Sequence, residues 1–249
     1  MTGEITERVA LITGAGRGSG REIARAFASI GTVVAVNDIN PLNLDETVEQ
    51  IRQAGGNAQP YLFDISKRMP IEGMIAQVLV DFGRIDILVN HASVYPDAFL
   101  LEMDEWEFHR TLDVNLAGAF FMMQQVARVM QQKGGGTILN LISSVEQDQF
   151  KRGHTAITAS QAGLIGLTRS AAAELAAYHI QVNAVCHGPD ISGMVHPACL
   201  DKTVLIPWSA SHPQLWLGDH PDLVSTVLYL CSQEASTVTG KIITLDSQE

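Results

Sequence analysis

No apolar run in the sequence approaches the roughly 18 residues that a membrane-crossing helix needs, so no span is expected. Basic charge is scarce: 16 Lys and Arg stand against 27 Asp and Glu, a formal net charge of −11. Nucleic acids and anionic membranes attract basic patches, so neither is an expected partner. Cysteine is scarce too. Cys186, Cys199 and Cys231 are odd in number and widely spaced, which argues against a disulfide framework and against a zinc site. They read as thiols packed as small hydrophobes in a reducing compartment. The start, Met1 to Arg8, is polar and acidic and lacks a secretory signal pattern, so the expected location is cytoplasmic. Internal repeats, low-complexity tracts and linkers are also missing.

What the sequence does contain is a regular alternation. Val9–Ile12, Thr32–Val36, Ala58–Phe63, Ile85–Val89, Thr137–Leu141, Ile180–Val185 and Ile242–Leu245 read as strands. They are apolar with little alternation, as strands covered on both faces should be. Helical patterns lie between them. Asn40-Pro41 reads as an N-cap with proline at the first helical position, and Leu44, Val48 and Ile51 then share a face. Asp104 with Glu107 resembles a capping box opening a long segment that stops at Gly134–Gly136. Pro221 opens a last helix carrying Leu223, Val227 and Leu230. The expected fold is α/β: a Rossmann-type doubly wound parallel sheet of about seven strands, helices on both faces, in a single domain spanning 1–249. With 46% hydrophobic residues the chain can fill such a core. Residues 188–220, rich in Pro, Trp and Met, read as a lid-like insertion.

Thr13-Gly14-Ala15-Gly16-Arg17-Gly18-Ser19-Gly20 joins the first strand to the first helix. Glycines here let the backbone turn tightly and approach a pyrophosphate, which the helix N-terminus then faces with free N–H groups. Asp38 ends the second strand about 20 residues on, where a carboxylate accepts from ribose hydroxyls and repels a 2′-phosphate. The expected cofactor is therefore NAD(H) rather than NADP(H), with Arg17 partly offsetting the repulsion. No metal is expected.

With these residues in place, the whole chain resembles the classical short-chain dehydrogenase/reductase family, particularly its ketoacyl-reductase-like members. The family's TGxxxGxG turn is Thr13 to Gly20. Its adenine-contacting Asp corresponds to Asp64, followed by Ile65. Asn90-His91-Ala92-Ser93 stands where the family has Asn-Asn-Ala-Gly. Its helix Asn matches Asn115, and its catalytic serine matches Ser144. Its Asn-x-x-x-Pro-Gly turn is Asn183 to Gly188, and Val238-Thr239-Gly240 is its closing segment. The resemblance implies that Gly14, Gly16, Arg17, Gly18, Ser19, Gly20, Asp38, Asp64, Ile65, Asn90, Ala92 and Gly188 hold the cofactor. It implies that Ser144 and Asn115 are catalytic remnants.

Remnants, because the family's Tyr-x-x-x-Lys pair is absent. Counting from Ser144 places Ile157 and Gln161 at the two positions, and Ala162-Gly163 keeps the register. Isoleucine has no exchangeable proton, and glutamine supplies no charge. A positioned acid or base is worth roughly 10²–10⁴ in rate, so ordinary carbonyl reduction should nearly vanish. Ser93, His187, Ser19 and the tail Asp246–Glu249 depart more mildly. His187, with Asp190 nearby, and His154, beside Lys151 and Arg152, are candidate substitute acids. Three readings follow: an NAD-dependent reductase with a substitute acid, a silent NAD(H)-binding pseudoenzyme, or a structural or regulatory subunit assembling with an active paralogue. The ligand expected is a small carbonyl or alcohol. Small residues from Ala159 to Ala173 and the resemblance together imply a homodimer or homotetramer.

Overall fold

Seven apolar runs pair side by side, all parallel, in the order β3-β2-β1-β4-β5-β6-β7. The strands are β1 (Val9–Thr13), β2 (Val33–Asp38), β3 (Ala58–Leu62), β4 (Ile87–Asn90), β5 (Gly136–Ser143), β6 (Ile180–His187) and β7 (Ile242–Thr244). The structure is a computed structural model that describes residues 8–143, 153–187 and 221–245. The expected lid lies outside those residues. Every run read as a strand from its apolar character is one, within a residue or two at each end.

Both sheet faces are covered, and the period of two along a strand sorts side chains between them. Ala10 and Ile12 of β1 face a core with α1 (Gly18–Ser29), α2 (Pro41–Gln53) and α7 (Pro221–Leu230). Val9 and Leu11 face a second core with α3 (Arg68–Phe82), α5 (Ala119–Lys133) and α6 (Thr155–Leu175). The helix ends follow local chemistry. Asn40 caps α2 by accepting from Leu42 N and Asn43 N, with Pro41 next. Asp104 caps α4 (Glu105–Leu112) by accepting from Glu107 N at 2.7 Å. After α5, Gly134 takes a left-handed φ of 92° and stops the helix. Between α4 and α5 the chain forms a π-helical turn, Asp113–Gly118, which holds Asn115.

One buried polar chain fastens the helix behind the site to the sheet. Asn90 Nδ2 donates to Asn140 Oδ1, and Asn140 Nδ2 donates to Thr168 Oγ1, each at 2.9 Å. Asn140 and Thr168 are fully buried. Strands β4 and β5 and helix α6 are thus held in register by side chains, not packing alone. Asn140→Leu would strip the buried Asn90 amide of the one acceptor it meets among the described residues. We expect a loss of about 2 kcal/mol, read as a lower urea midpoint at unchanged m-value.

Candidate functional site

Strand order reverses between β1 and β4, and a crevice opens beyond their carboxyl ends, as expected at such a switch point. Its volume is about 880 Å3. The walls come from the ends of successive strands: Gly14 after β1, Asp38 closing β2, Asn90 to Pro96 leaving β4, Ser143 ending β5 and His187 ending β6.

The glycine-rich turn forms the near wall. Gly14 has φ +64°, and a Cβ there would sit 2.7 Å from Ala92 Cα, so only glycine lets the two loops touch. Gly16 N donates to Asp38 Oδ2 at 2.9 Å, and Asn40 N donates to Oδ1 at 2.9 Å. A Cβ on Gly16 would meet the same carboxylate at 2.6 Å. Asp38 is therefore aimed by two backbone donors and keeps lone pairs for a ligand. Arg17, Asp64, Ile65 and Ala92 also line the crevice. Asp64 Oδ1 accepts from Ser66 N at 2.8 Å, which fixes its loop.

Two departures from the family pattern pair with each other. His91 Nδ1 lies 3.1 Å from Gly14 O, and its Nε2 lies 2.9 Å from Ser19 Oγ. A carbonyl only accepts, so Nδ1 carries the ring proton toward Gly14; in the neutral ring, Nε2 then accepts from the Ser19 hydroxyl. Ser19 is fully buried and stands behind the crevice wall. Its side chain braces the turn. The sequence signal was two unusual residues in motifs that pack together.

At the far end, Asn115 has both amide groups on one residue. Its Oδ1 accepts from Val94 N at 2.8 Å and its Nδ2 donates to Val94 O at 3.0 Å. This clamp fixes the loop after β4 and with it the next residue, Tyr95. The Tyr95 hydroxyl accepts from Gln161 Nε2 at 2.7 Å and shares a short hydrogen bond with Ser143 Oγ. Tyr95 escaped notice as a site residue, because its partners lie 48 and 66 positions away. Gln161 lines the crevice, while Ile157 is wholly buried and does not. His187 is buried and lines the crevice; His154 flanks the start of α6 and does not. Ser144, Gly188, Lys151, Arg152 and Asp190 lie outside the described residues.

Two buried side-chain atoms of residues lining this crevice have no hydrogen-bond partner among the described residues: Asn90 Oδ1 and Gln161 Oε1. Buried acceptors are rarely left so, and a bound polar group would satisfy them. No cluster of three metal-ligating side chains occurs among the described residues. Among the described residues the thiols are poor nucleophiles: burial pushes Cys186 up to about 11 and Cys231 up to about 12, so both stay protonated at neutral pH.

Residues 14–247 match the family described as enoyl-(acyl carrier protein) reductase. An uncharacterized oxidoreductase from Thermotoga maritima is 35% identical over 96% of each chain. A 3-oxoacyl-[acyl-carrier-protein] reductase, FabG, from the same organism is 36% identical over 96% of each. The chain belongs to the short-chain dehydrogenase/reductase family. Among solved structures, a putative short-chain dehydrogenase/reductase from Burkholderia xenovorans superposes with TM-score 0.88 at 34% identity, covering 98% of this chain and 96% of that one. An NAD+-bound xylitol dehydrogenase superposes with TM-score 0.87 at 28% identity, covering 99% and 100%. Short-chain dehydrogenases/reductases are oxidoreductases that bind a nicotinamide cofactor.

The Asn115 clamp is open to a direct test. Asn115→Ala leaves Val94 N–H and C=O without their side-chain partner. We expect about 2 kcal/mol of lost stability and faster amide exchange over residues 91–100, measured by hydrogen-exchange mass spectrometry.

Proposed function

We propose that the chain binds NAD(H) in the crevice and acts on a small carbonyl or alcohol by a route that draws no proton from residue 157 and no charge from residue 161. The observation that carries this reading is the pair of buried acceptors, Asn90 Oδ1 and Gln161 Oε1, that have no partner among the described residues and belong to residues lining the crevice. A nucleotide ribose and carboxamide offer the donors that such acceptors lack. The glycine turn, Asp38, Asp64, Ile65 and Ala92 would hold the dinucleotide. When bound, a nicotinamide supplies or accepts a hydride.

The residues of the chain do the rest. Asp38 accepts from the adenosine ribose hydroxyls and sets a negative charge where a 2′-phosphate would sit, with Arg17 nearby. Gln161 stands at the lysine position and accepts a ribose hydroxyl without contributing charge. Ile157 supplies neither a proton nor a crevice surface. The ordinary proton relay of the family is therefore absent, and turnover of typical substrates should be slow. The xylitol dehydrogenase structure holds NAD+, which supports the choice of NAD over NADP only by likeness.

Titration with NADH and NADPH by fluorescence tests this. NADH should bind at least about tenfold tighter than NADPH, a difference of about 1.4 kcal/mol. Asp38→Ala should weaken NADH and narrow that gap. Binding of neither nucleotide would sink the proposal.

We further propose self-association through α6. A shallow apolar groove runs between the helical segment at Leu112, Leu116 and Phe120 and α6 at Gly163, Gly166 and Leu167. Phe120 is 40% exposed, and the space above Gly166 is open. A second copy of the same helix pair would cover it, as in an isologous contact. Gly166→Arg should shift the sedimentation profile to a smaller species without unfolding the chain. An unchanged profile would remove this face from the assembly.

A further inference from the structure

We propose that Gln161 favours the oxidised, positively charged form of the nicotinamide cofactor over the reduced, neutral form, and so makes the bound reduced form a stronger hydride donor. The inference rests on the nucleotide reading above and deepens it.

The two cofactor forms differ by one full charge on the nicotinamide ring. A charge or dipole facing that ring therefore sets their relative affinity. Gln161 lies on α6, lines the crevice and is 7% exposed. Its Nε2 donates to Tyr95 Oη at 2.7 Å, which occupies the nitrogen end of the amide. Its Oε1 has no partner among the described residues. Asn90 repeats the arrangement from β4. It is 5% exposed, its Nδ2 donates to Asn140 Oδ1 at 2.9 Å, and its Oδ1 has no described partner. Both amides commit a donor to the protein and keep an electron-rich oxygen on a residue of the crevice wall.

Fixed positive charge sits elsewhere on that wall. Its described lysines and arginines are Arg17 in the glycine turn, Lys67 after β3 and Arg110 on α4. Lys67 is paired with Asp113 at 2.7 Å, and Arg110 lies 5.3 Å from the centre of the Trp106 ring. Strand β5, helix α6 and strand β6 contribute no lysine or arginine to the wall among the described residues. The family pattern would set a full cation at position 161, in a buried setting where charge is poorly screened. Glutamine sets the negative end of a dipole there instead. The first repels an oxidised ring and the second attracts it, while a neutral reduced ring responds little to either.

The consequence reaches hydride transfer. A substrate carbon that receives a hydride takes two electrons with it and leaves one positive charge on the ring. Acceptors already in place meet that charge as it develops. Each tenfold by which the oxidised form is favoured lowers the midpoint of the bound couple by about 30 mV. The gain is smaller than the roughly 10²–10⁴ that a positioned acid supplies, so turnover remains slow.

The test measures Kd for NAD+ and for NADH by isothermal titration calorimetry on the full chain, in wild type, Gln161→Met and Gln161→Lys. Work at about pH 8, above the usual imidazole range, keeps His91 and His187 of the wall out of the comparison. Wild type should bind NAD+ at least as tightly as NADH. Gln161→Met removes the oxygen without adding charge and should weaken NAD+ about threefold relative to NADH. Gln161→Lys should weaken NAD+ about tenfold relative to NADH. A merely structural role would not give that order, because a packing defect weakens both forms alike. An affinity ratio that is the same in all three proteins overturns the proposal and leaves the nucleotide reading standing. A wild type that binds NADH more than about tenfold tighter than NAD+ overturns it as well. Binding of neither form by wild type overturns the nucleotide reading and this one with it. Should Gln161→Lys not fold, wild type against Gln161→Met decides alone, and equal ratios in those two overturn the proposal.

Discussion

The loops leaving β1 and β4 touch, and the site depends on that contact. Thr13 Oγ1 accepts from both His91 N and Ala92 N, at 3.1 and 3.2 Å, and Gly14 packs against Ala92 where a Cβ cannot fit. One side of the junction leads into the glycine turn and Asp38. The other leads through Val94 to Tyr95. The nucleotide wall and the far end of the crevice are therefore set by one junction at the reversal of strand order. A shift there would move both together.

The same junction explains why the departures from the family come in sets. His91 needs an acceptor and a donor within reach; it finds Gly14 O, and Ser19 provides the other. Gln161 is a buried amide that needs partners, and Tyr95 takes one of its donors. Each exchange alone would leave a buried polar group unsatisfied, at a cost of about 1–3 kcal/mol. In pairs they are compatible with a stable fold. This pattern differs from random decay, in which a lost partner leaves an orphan behind. Among the described residues three buried side-chain atoms remain without a partner: Asn90 and Gln161, whose Oδ1 and Oε1 are two of them, line the crevice, while Ser232, with Oγ, does not.

Much of the fold was legible because its signals are local. Strands buried on both faces are apolar throughout, and Asn40, Asp104 and Gly134 mark helix ends by groups they satisfy within a few residues. The crevice position followed from the glycine turn and Asp38. Tyr95 was not legible. Counting from Ser144 asks which residue fills a known slot, whereas Tyr95 enters from another strand and meets partners far along the chain. Asn115 likewise matched the family by position, yet its role here is a clamp on Val94 that only the packed loop reveals.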